Sequence, residues 1–539
     1  MPLVRNIVKR NFYRDSVQLL HITEKLKEVE GVENAAILMG TSLNKEILQK
    51  EGLLTEEGAR ATEDDMIIAV AAESEDALAR ALETAEKLLA GEAGEAEYHS
   101  IDSAIRALGG ADIAVISVPG QHVRDLALDL LERGVNLFIF SDHVPLAHEA
   151  EIKSKAIEKR LLVMGPAAGT SIIGGIAIGF ANKVRRGPIG LVAAAGTGLQ
   201  EVSSLVSNAG AGVSHGIGVG GGDVKREVGG IMTLFSMDIL DRDRGTEIIG
   251  VISKPPDPEV ESRIVAASLK LGKPVVLCFI GGRGAQLGEA RGRGGENVYF
   301  AKSLHSATLT LLDIYEDLGY GKTVKPVIDY RELASLAGKE ISRLEPGQSR
   351  LRGLFTGGTL TFEGLVMLEG KLDDLYSNTP IGHVKELADP FKSEGNSIVD
   401  MGEEEFTRGR PHPIIDPTLR NKRLIEEARD PSVAVIMMDF VLGYGAHRDP
   451  VGSHIEAIRE ARKIAEEDGR YISFLAHVIG TPEDPQGLER QVEKLKAENI
   501  IVLPTNALMV VLSYMIAGRE TDESKIHSLF GEYLSGTRG

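Results

Sequence analysis

The strings GTGLQE (196–201) and GTLTFE (358–363) repeat one another at an offset of 162 residues, with Gly196, Thr197 and Glu201 matching Gly358, Thr359 and Glu363. Each follows an apolar run, GPIGLVAAA or RGLF, and opens a new apolar-periodic segment, so each reads as strand, glycine turn and helix start. Such a turn aims unpaired backbone N–H groups and the positive helix end at one point, which suits phosphate, phosphoryl or carboxylate groups. Gly196, Thr197, Gly198, Gly358 and Thr359 are therefore the candidate anion-binding residues. A tight turn that needs glycine for its backbone explains either copy alone; the matched pair favours a ligand. Neither copy contains GK[ST], so neither is a nucleotide P-loop. Gln200, Glu201 and Glu363 fall in the first helical turns, where capping accounts for them.

Two further clusters carry proton-transfer and charge-clamping residues. GRPHPIIDP supplies Arg410, His412 and Asp416, and GYGAHRDP supplies His447, Arg448 and Asp449 directly after an apolar strand. Arginine suits bidentate binding of carboxylate or phosphate, and histidine suits proton transfer. A structural ion pair is the plain alternative for each. His477 and Asp484 in AHVIGTPEDPQG follow another strand, where turn chemistry around Pro482 and Pro485 serves equally well. The spacing fits no metal motif, so no metal is expected. Cys278 is the one cysteine, which excludes an intramolecular disulfide and a cysteine-based zinc cluster, and it reads as core packing.

The elements that must position these residues are short β-branched runs alternating with amphipathic stretches, the pattern of parallel α/β sheets. Apolar runs at 111–119, 135–142, 160–166, 187–196, 246–255, 273–282, 432–441 and 499–506 are expected as strands covered on both faces. The first 95 residues read instead as a small ferredoxin-like α+β module for assembly or regulation, followed by a linker at 91–100. Residues 101–184 form a partial Rossmann-like region, and 185–325 and 350–539 form two related flavodoxin-like domains. The 539 residues, with 60 Lys+Arg against 79 Asp+Glu, carry a formal charge of −19, so no nucleic-acid partner is expected. No apolar run reaches the ~18 residues of a membrane span, and no secretory leader is visible at the start. A cytoplasmic protein is the expectation.

The repeated turns, GIGVGGGD (216–223), ADIAVISVPGQHV, FIFSDHVP, LLVMGPAAGT and NSIVDMGEEEF resemble the succinyl-CoA synthetase superfamily, and GEEEFTRGRPHPIIDPTLR resembles its FdrA family. The resemblance covers about 101–539. It implies a CoA-binding-like domain with Pro119, Gly165 and Pro166 near the cofactor, two tandem ligase domains, and Asp223 beside the active site. Departures bear on mechanism. The family's phosphohistidine loop G-H-A-G-A is replaced by GGRGAQLGEARGRGG, His305 lies well downstream, and no ATP-grasp domain separates the two ligase domains. FdrA proteins are associated with allantoin breakdown. The expectation is thus a subunit of an oxamate carbamoyltransferase, converting oxalurate plus phosphate to oxamate plus carbamoyl phosphate. Its catalytic residues would be His447, Arg448, Arg410, His412 and Asp223, with small anionic substrates, CoA as candidate cofactor, and other subunits as partners. The alternatives are a succinate–CoA-ligase-like enzyme working with a separate ATP-grasp subunit, and a non-catalytic sensing or assembly subunit.

Overall fold

The computed structural model describes residues 2–12, 14, 16–89, 98, 100–282 and 297–536. The residues that replace the phosphohistidine loop, up to Gly295, lie mostly outside that set. Two compact units emerge. One comprises Met1–Ala104 with Gly402–Asp416, and the other comprises Ile105–Met401 with Pro417–Gly539.

In the first unit, β1 (Leu3–Lys9), β2 (Val32–Met39) and β3 (Met66–Ala72) form an antiparallel sheet in the order β1-β3-β2. Every residue of β3 is buried. Period-two alternation explains how: Met66, Ile68 and Val70 join Leu19, Leu26, Leu78 and Ala81 of the helices Ser16–Lys27 and Glu75–Leu89, while Ile67 and Ala69 join Leu48 and Leu53 on the opposite face. The order is strand, helix, strand, two helices (Ser42–Lys50 and Glu56–Ala59), strand, helix, so the expected ferredoxin-like order is interrupted between β2 and β3. The segment 402–416, remote in sequence, is held here: Asn44, fully buried, donates through Nδ2 to Gly409 O at 2.9 Å, and Arg408 pairs with Glu63 at 3.2 Å.

The second unit holds three sheets. β4 (Ile113–Ile116), β5 (Asn136–Ile139) and β6 (Val163–Met164) are parallel. A seven-stranded sheet follows, built on β9 (Arg186–Ala193), β10 (Val213–Gly218), β11 (Ile248–Ser253), β12 (Val275–Phe279) and β13 (Val298–Ala301) in the order β13-β12-β11-β9-β10. The hairpin of β7 (Thr170–Ile173) and β8 (Ile176–Gly179) extends it antiparallel at β10, so this stretch of the 101–184 region contributes to the next sheet. The third sheet, also seven-stranded, has the matching parallel core β17-β14-β18-β19-β20, from β14 (Arg350–Phe355), β17 (Asn396–Asp400), β18 (Val433–Val441), β19 (Ser473–Ile479) and β20 (Ile501–Leu503), with β15 (Leu375–Ser377) and β16 (Lys385–Glu386) beyond β17.

Both cores have the strand order 2-1-3-4-5, the doubly wound arrangement in which ligands sit outside the carboxyl ends where the order reverses. β11, β12, β14, β18 and β19 are buried along almost their whole length, as strands covered by helices on both faces must be. Cys278 is fully buried in β12. Among the described residues no helix is long and apolar enough to cross a membrane.

Candidate functional site

At the first reversal point, β9 leads through Ala195, extended at φ −153° and ψ 106°, into the helix Gly196–Asn208. At the second, β14 leads through Gly357, extended at φ −102° and ψ 105°, into the helix Gly358–Leu368. Neither helix has a side-chain N-cap. The two helix starts meet: Thr359 N–H donates to Thr197 Oγ1 at 3.3 Å. Glycine permits that approach, because a Cβ on Gly198 would lie 3.0 Å from Thr359 Cγ2, and one on Gly357 would lie 3.1 Å from Thr197 Cγ2.

The two turns are not equivalent chemically. In the second, Thr356 N–H and Gly357 N–H donate to the Asp439 carboxylate at 2.7 and 2.8 Å, and Thr356 Oγ1 donates to it at 2.9 Å. Arg420 Nη2 neutralises this carboxylate at 3.1 Å, and neither side chain is more than 1% exposed. The second turn therefore carries a built-in oxyanion. In the first, strand register puts Ile252 where Asp439 stands: β9 pairs Ala193 with Ile252, and β14 pairs Leu354 with Met438, one step before Asp439. A methyl replaces a carboxylate. Ala194 N–H donates to Ile252 O at 3.0 Å, but no acceptor among the described residues takes the N–H groups of Gly196, Thr197 or Gly198. Gly196 is exposed, Thr197 half-buried and Gly198 buried.

Behind the turns lies a buried polar layer. Each turn helix sends a glutamate to a helix start in the other half: Glu363 accepts from Leu304 N at 2.6 Å, and Glu201 from Asn506 N at 3.5 Å. Glu201 also meets His477 Nε2 at 2.7 Å, and Asn506 Nδ2 donates to Glu363 at 2.7 Å. Burial pushes the Glu363 carboxyl up to about 7, despite its bonds from Asn506 and Leu304. Burial opposes a charge on His477, yet Glu201 beside it, with their hydrogen bond, holds it above its ordinary value. His305 is buried, contacts Thr505 Oγ1 at 3.1 Å, and is depressed by desolvation to about 4.

The remaining expected residues are dispersed. Asp223, expected beside the active site, is fully buried, and its carboxylate is taken up by Met232 N, Thr233 N, Thr233 Oγ1 and the buried Lys153. It takes up the first N–H groups of the helix Ile231–Arg242. Arg410 and His412 lie in the segment 402–416 of the first unit. There Arg410 is 6% exposed, bonded through Nη2 to Asp416 at 2.9 Å, with Nη1 unpartnered. His412 Nδ1 accepts from Ile414 N. His447 is half-buried, its Nδ1 accepting from Asp449 N at 3.0 Å, and Arg448 is exposed. Pro119, Gly165 and Pro166 lie on loops after β4 and β6 gathered around Ser141, which accepts from Val118 N through Oγ and from Ala167 N through its carbonyl. Asp439 and Arg420 are the neighbours of the second turn that motif reading missed. An aspartate inside the apolar strand VAVIMMDFV was the available signal.

A relative from Escherichia coli (strain K12), the uncharacterized protein YahF, is 40% identical over 528 residues, covering 96% of this chain and 99% of that protein. The chain belongs to the YahF family. The family model described as CoA-ligase matches residues 354–516, and the one described as AllF, heavy metal-associated domain matches residues 1–104. The ADP-forming sulfoacetate-CoA ligase subunit SqwL of Acholeplasma sp is 28% identical over 206 residues, 37% of this chain and 68% of that one. The alpha subunit of the ADP-forming succinate–CoA ligase of Methanothermobacter thermautotrophicus is 26% identical over 204 residues, 37% and 66% of the two chains. Among solved structures, the ATP citrate lyase of Methanosaeta concilii aligns at 16% identity and a TM-score of 0.35, over 78% of this chain and 72% of that one. Residues 354–516 thus carry a CoA-ligase scaffold, and about 37% of the chain is similar to the subunits of CoA ligases. A heavy metal does not fit residues 1–104. They contain no cysteine, and no cluster of three metal-ligating side chains occurs among the described residues.

Proposed function

We infer that the chain is an acyl-transferring subunit of an acid–thiol ligase, in which the open turn at Gly196, Thr197 and Gly198 holds the phosphate of an acyl phosphate. The observation that carries this reading is the difference between matched positions: Thr359 N–H is taken by Thr197 Oγ1 and Leu360 N–H by Gly357 O, whereas the N–H groups of Thr197 and Gly198, like that of Gly196, meet no acceptor among the described residues. Three donors at a helix start, with the helix dipole behind them, stabilise charge developing on a departing phosphate. A thiolate attacks the acyl carbon, the C–S bond forms and the C–O bond breaks, and the thiol proton ends on inorganic phosphate. Gly358 and Thr359 fix the open turn from the opposite half. CoA is the thiol of this reading, with Pro119, Gly165 and Pro166 at its loops and His447 and Arg448 as outer charge and proton groups. ATP chemistry would belong to a separate ATP-grasp subunit, since the ligase relatives are themselves called subunits.

Carbamoyl transfer from oxalurate to phosphate is the second reading. One observation favours it: no histidine stands between Gly281 and Ser303, and His305 is buried and held neutral, so a phosphohistidine relay has no evident carrier. That reaction also uses an oxyanion at the open turn and needs no relay.

The test is ³¹P NMR of the full chain with succinyl-CoA plus inorganic phosphate, and separately with carbamoyl phosphate plus oxamate, each repeated with the co-expressed neighbouring subunits. Phosphate-dependent thiol release supports the ligase, and oxamate-dependent release of phosphate supports carbamoyl transfer. Gly196→Pro removes one turn N–H at the first helical position, where proline is tolerated and where an added Cβ meets nothing nearer than Thr170 Oγ1 at 3.8 Å. It is expected to lower either activity roughly tenfold, the worth of a hydrogen bond to a charged group. A wild-type chain that binds neither phosphate nor CoA overturns both readings.

A further inference from the structure

We propose that residues 402–416 form a strap by which the N-terminal module sets the geometry of the second turn, so that the state of the module regulates the place where the two turns meet. The proposal goes beyond the acyl-transfer reading and stands whatever ligand the open turn takes.

The segment leaves the second unit and returns to it at the same strand end. Met401, the residue before it, donates its N–H to Phe355 O at 2.8 Å, at the close of β14. Asp400, one residue earlier, is buried against the second turn, where a Cβ on Gly358 would lie 2.5 Å from its Oδ2. On the return side, Arg420 donates through Nε to Leu354 O at 3.0 Å and through Nη2 to Asp439 at 3.1 Å. Leu354 and Phe355 lead directly into Thr356 and Gly357, whose N–H groups Asp439 accepts. Both ends of the segment are therefore bonded to the last residues of β14, and the return end supplies the cation that compensates the buried carboxylate of the turn.

Arg420 lies in the first turn of the helix Thr418–Ala428, which has Pro417 at its N-cap position and no side-chain cap. The start of that helix is thus placed by the chain that enters it, through Asp416 and Pro417. Asp416 pairs with Arg410 at 2.9 Å, with side chains only 10% and 4% exposed. A desolvated ion pair of this kind loses heavily when one partner is taken away, so it fixes the return end of the strap. The middle of the strap is gripped by the module. Asn44 donates to Gly409 O at 2.9 Å and to Met39 O at 2.8 Å, and a Cβ on Gly409 would lie 2.9 Å from Thr41 Cγ2. Energetic coupling is carried by such unbroken series of bonded and packed groups. Here the series runs from Thr41 and Asn44 along the strap to Arg420, Asp439 and Gly357, and so to the start of the helix whose Thr359 N–H meets Thr197 of the open turn.

The experiment is hydrogen exchange read by mass spectrometry on the full chain, for wild type, Gly409→Ala and Asn44→Ala. Gly409→Ala acts from the strap, because φ is +70° there and the added Cβ meets Thr41, and it leaves residues 1–104 unaltered. Asn44→Ala acts from the module, so if it unfolds the module, Gly409→Ala still decides the question. Each is expected to speed exchange across 402–416 and, by about tenfold, across 352–360, with β5 unchanged. Faster exchange across 402–416 with 352–360 at the wild-type rate overturns the proposal. Unchanged exchange across 402–416 overturns the grip of the module, and acceleration that includes β5 shows general loosening in place of a directed coupling.

Discussion

At the residue scale, Asp439 and Glu363 show how burial gives a carboxylate opposite characters. Asp439 is compensated by Arg420 and two backbone donors, so removing one partner leaves the other charge buried and alone. Asp439→Ala is expected to cost about 3–5 kcal/mol, read as a lower denaturant midpoint with an unchanged slope. Glu363 has no cation bonded to it and is raised from an ordinary 4.5 to about 7. Its native form therefore holds a proton that the unfolded chain has already lost between those values. Below about pH 4.5 it adds no penalty; as pH rises toward 7, it removes stability. Glu363→Gln is expected to flatten that decline, because Gln still accepts from Leu304 N, and the amide of Asn506 can turn its unpartnered Oδ1 to the new NH₂. His305 acts in the opposite sense, losing stability as acid is added from its ordinary 6.5 down to about 4. Unfolding followed from pH 4 to 8 checks both signs, and an unchanged slope in Glu363→Gln would reject the assignment.

At the scale of elements, the two glycines of the open turn have different duties. Gly198 sits where the two helix starts and Ile252 converge, so an added Cβ meets methyls at 3.0 and 3.1 Å. Gly196 faces open space. Alanine raises helix propensity by about 1 kcal/mol at either place, but overpacking costs roughly 1–3 kcal/mol. Gly196→Ala is expected to be neutral or slightly stabilising and Gly198→Ala to fall below it by about 1–2 kcal/mol, as thermal denaturation would measure. In the first unit, Asn44 ties the segment carrying Arg410 to the end of β2 by donating to Gly409 O and Met39 O. Asn44→Ala should speed hydrogen exchange across 402–416 and leave the remainder of the unit protected.

At the scale of the whole molecule, the two seven-stranded sheets of the second unit are joined through their turns, by Thr359 to Thr197, Glu363 to Leu304 N and Glu201 to His477. Residues on both sides of that junction should exchange hydrogen in one slow cooperative event. Glu201→Gln with Glu363→Gln should lose more protection at β12 and β19 than the single variants added together, because the two carboxylates share Asn506. Additive losses would show the halves to be independent.

The sequence by itself determined the α/β class, the internal repeat and the glycine turns, because strand hydrophobicity, helix periodicity and turn chemistry are local properties. It also carried the resemblance to the CoA-ligase scaffold. What it could not express was the asymmetry between the copies. Which residue stands opposite each turn in the neighbouring strand, Ile252 or Asp439, 50 to 90 residues along the chain, is selected only by sheet register. Arg420 becomes relevant for the same reason. Arg410 and His412 look adjacent to the second ligase motif in sequence, yet they belong to the compact unit of the N-terminal module. Asp223 looks catalytic beside its glycines, yet Lys153 and a helix start absorb its charge. Tertiary structure decided these points because a buried charge is defined by its partners, and those partners are distant in sequence.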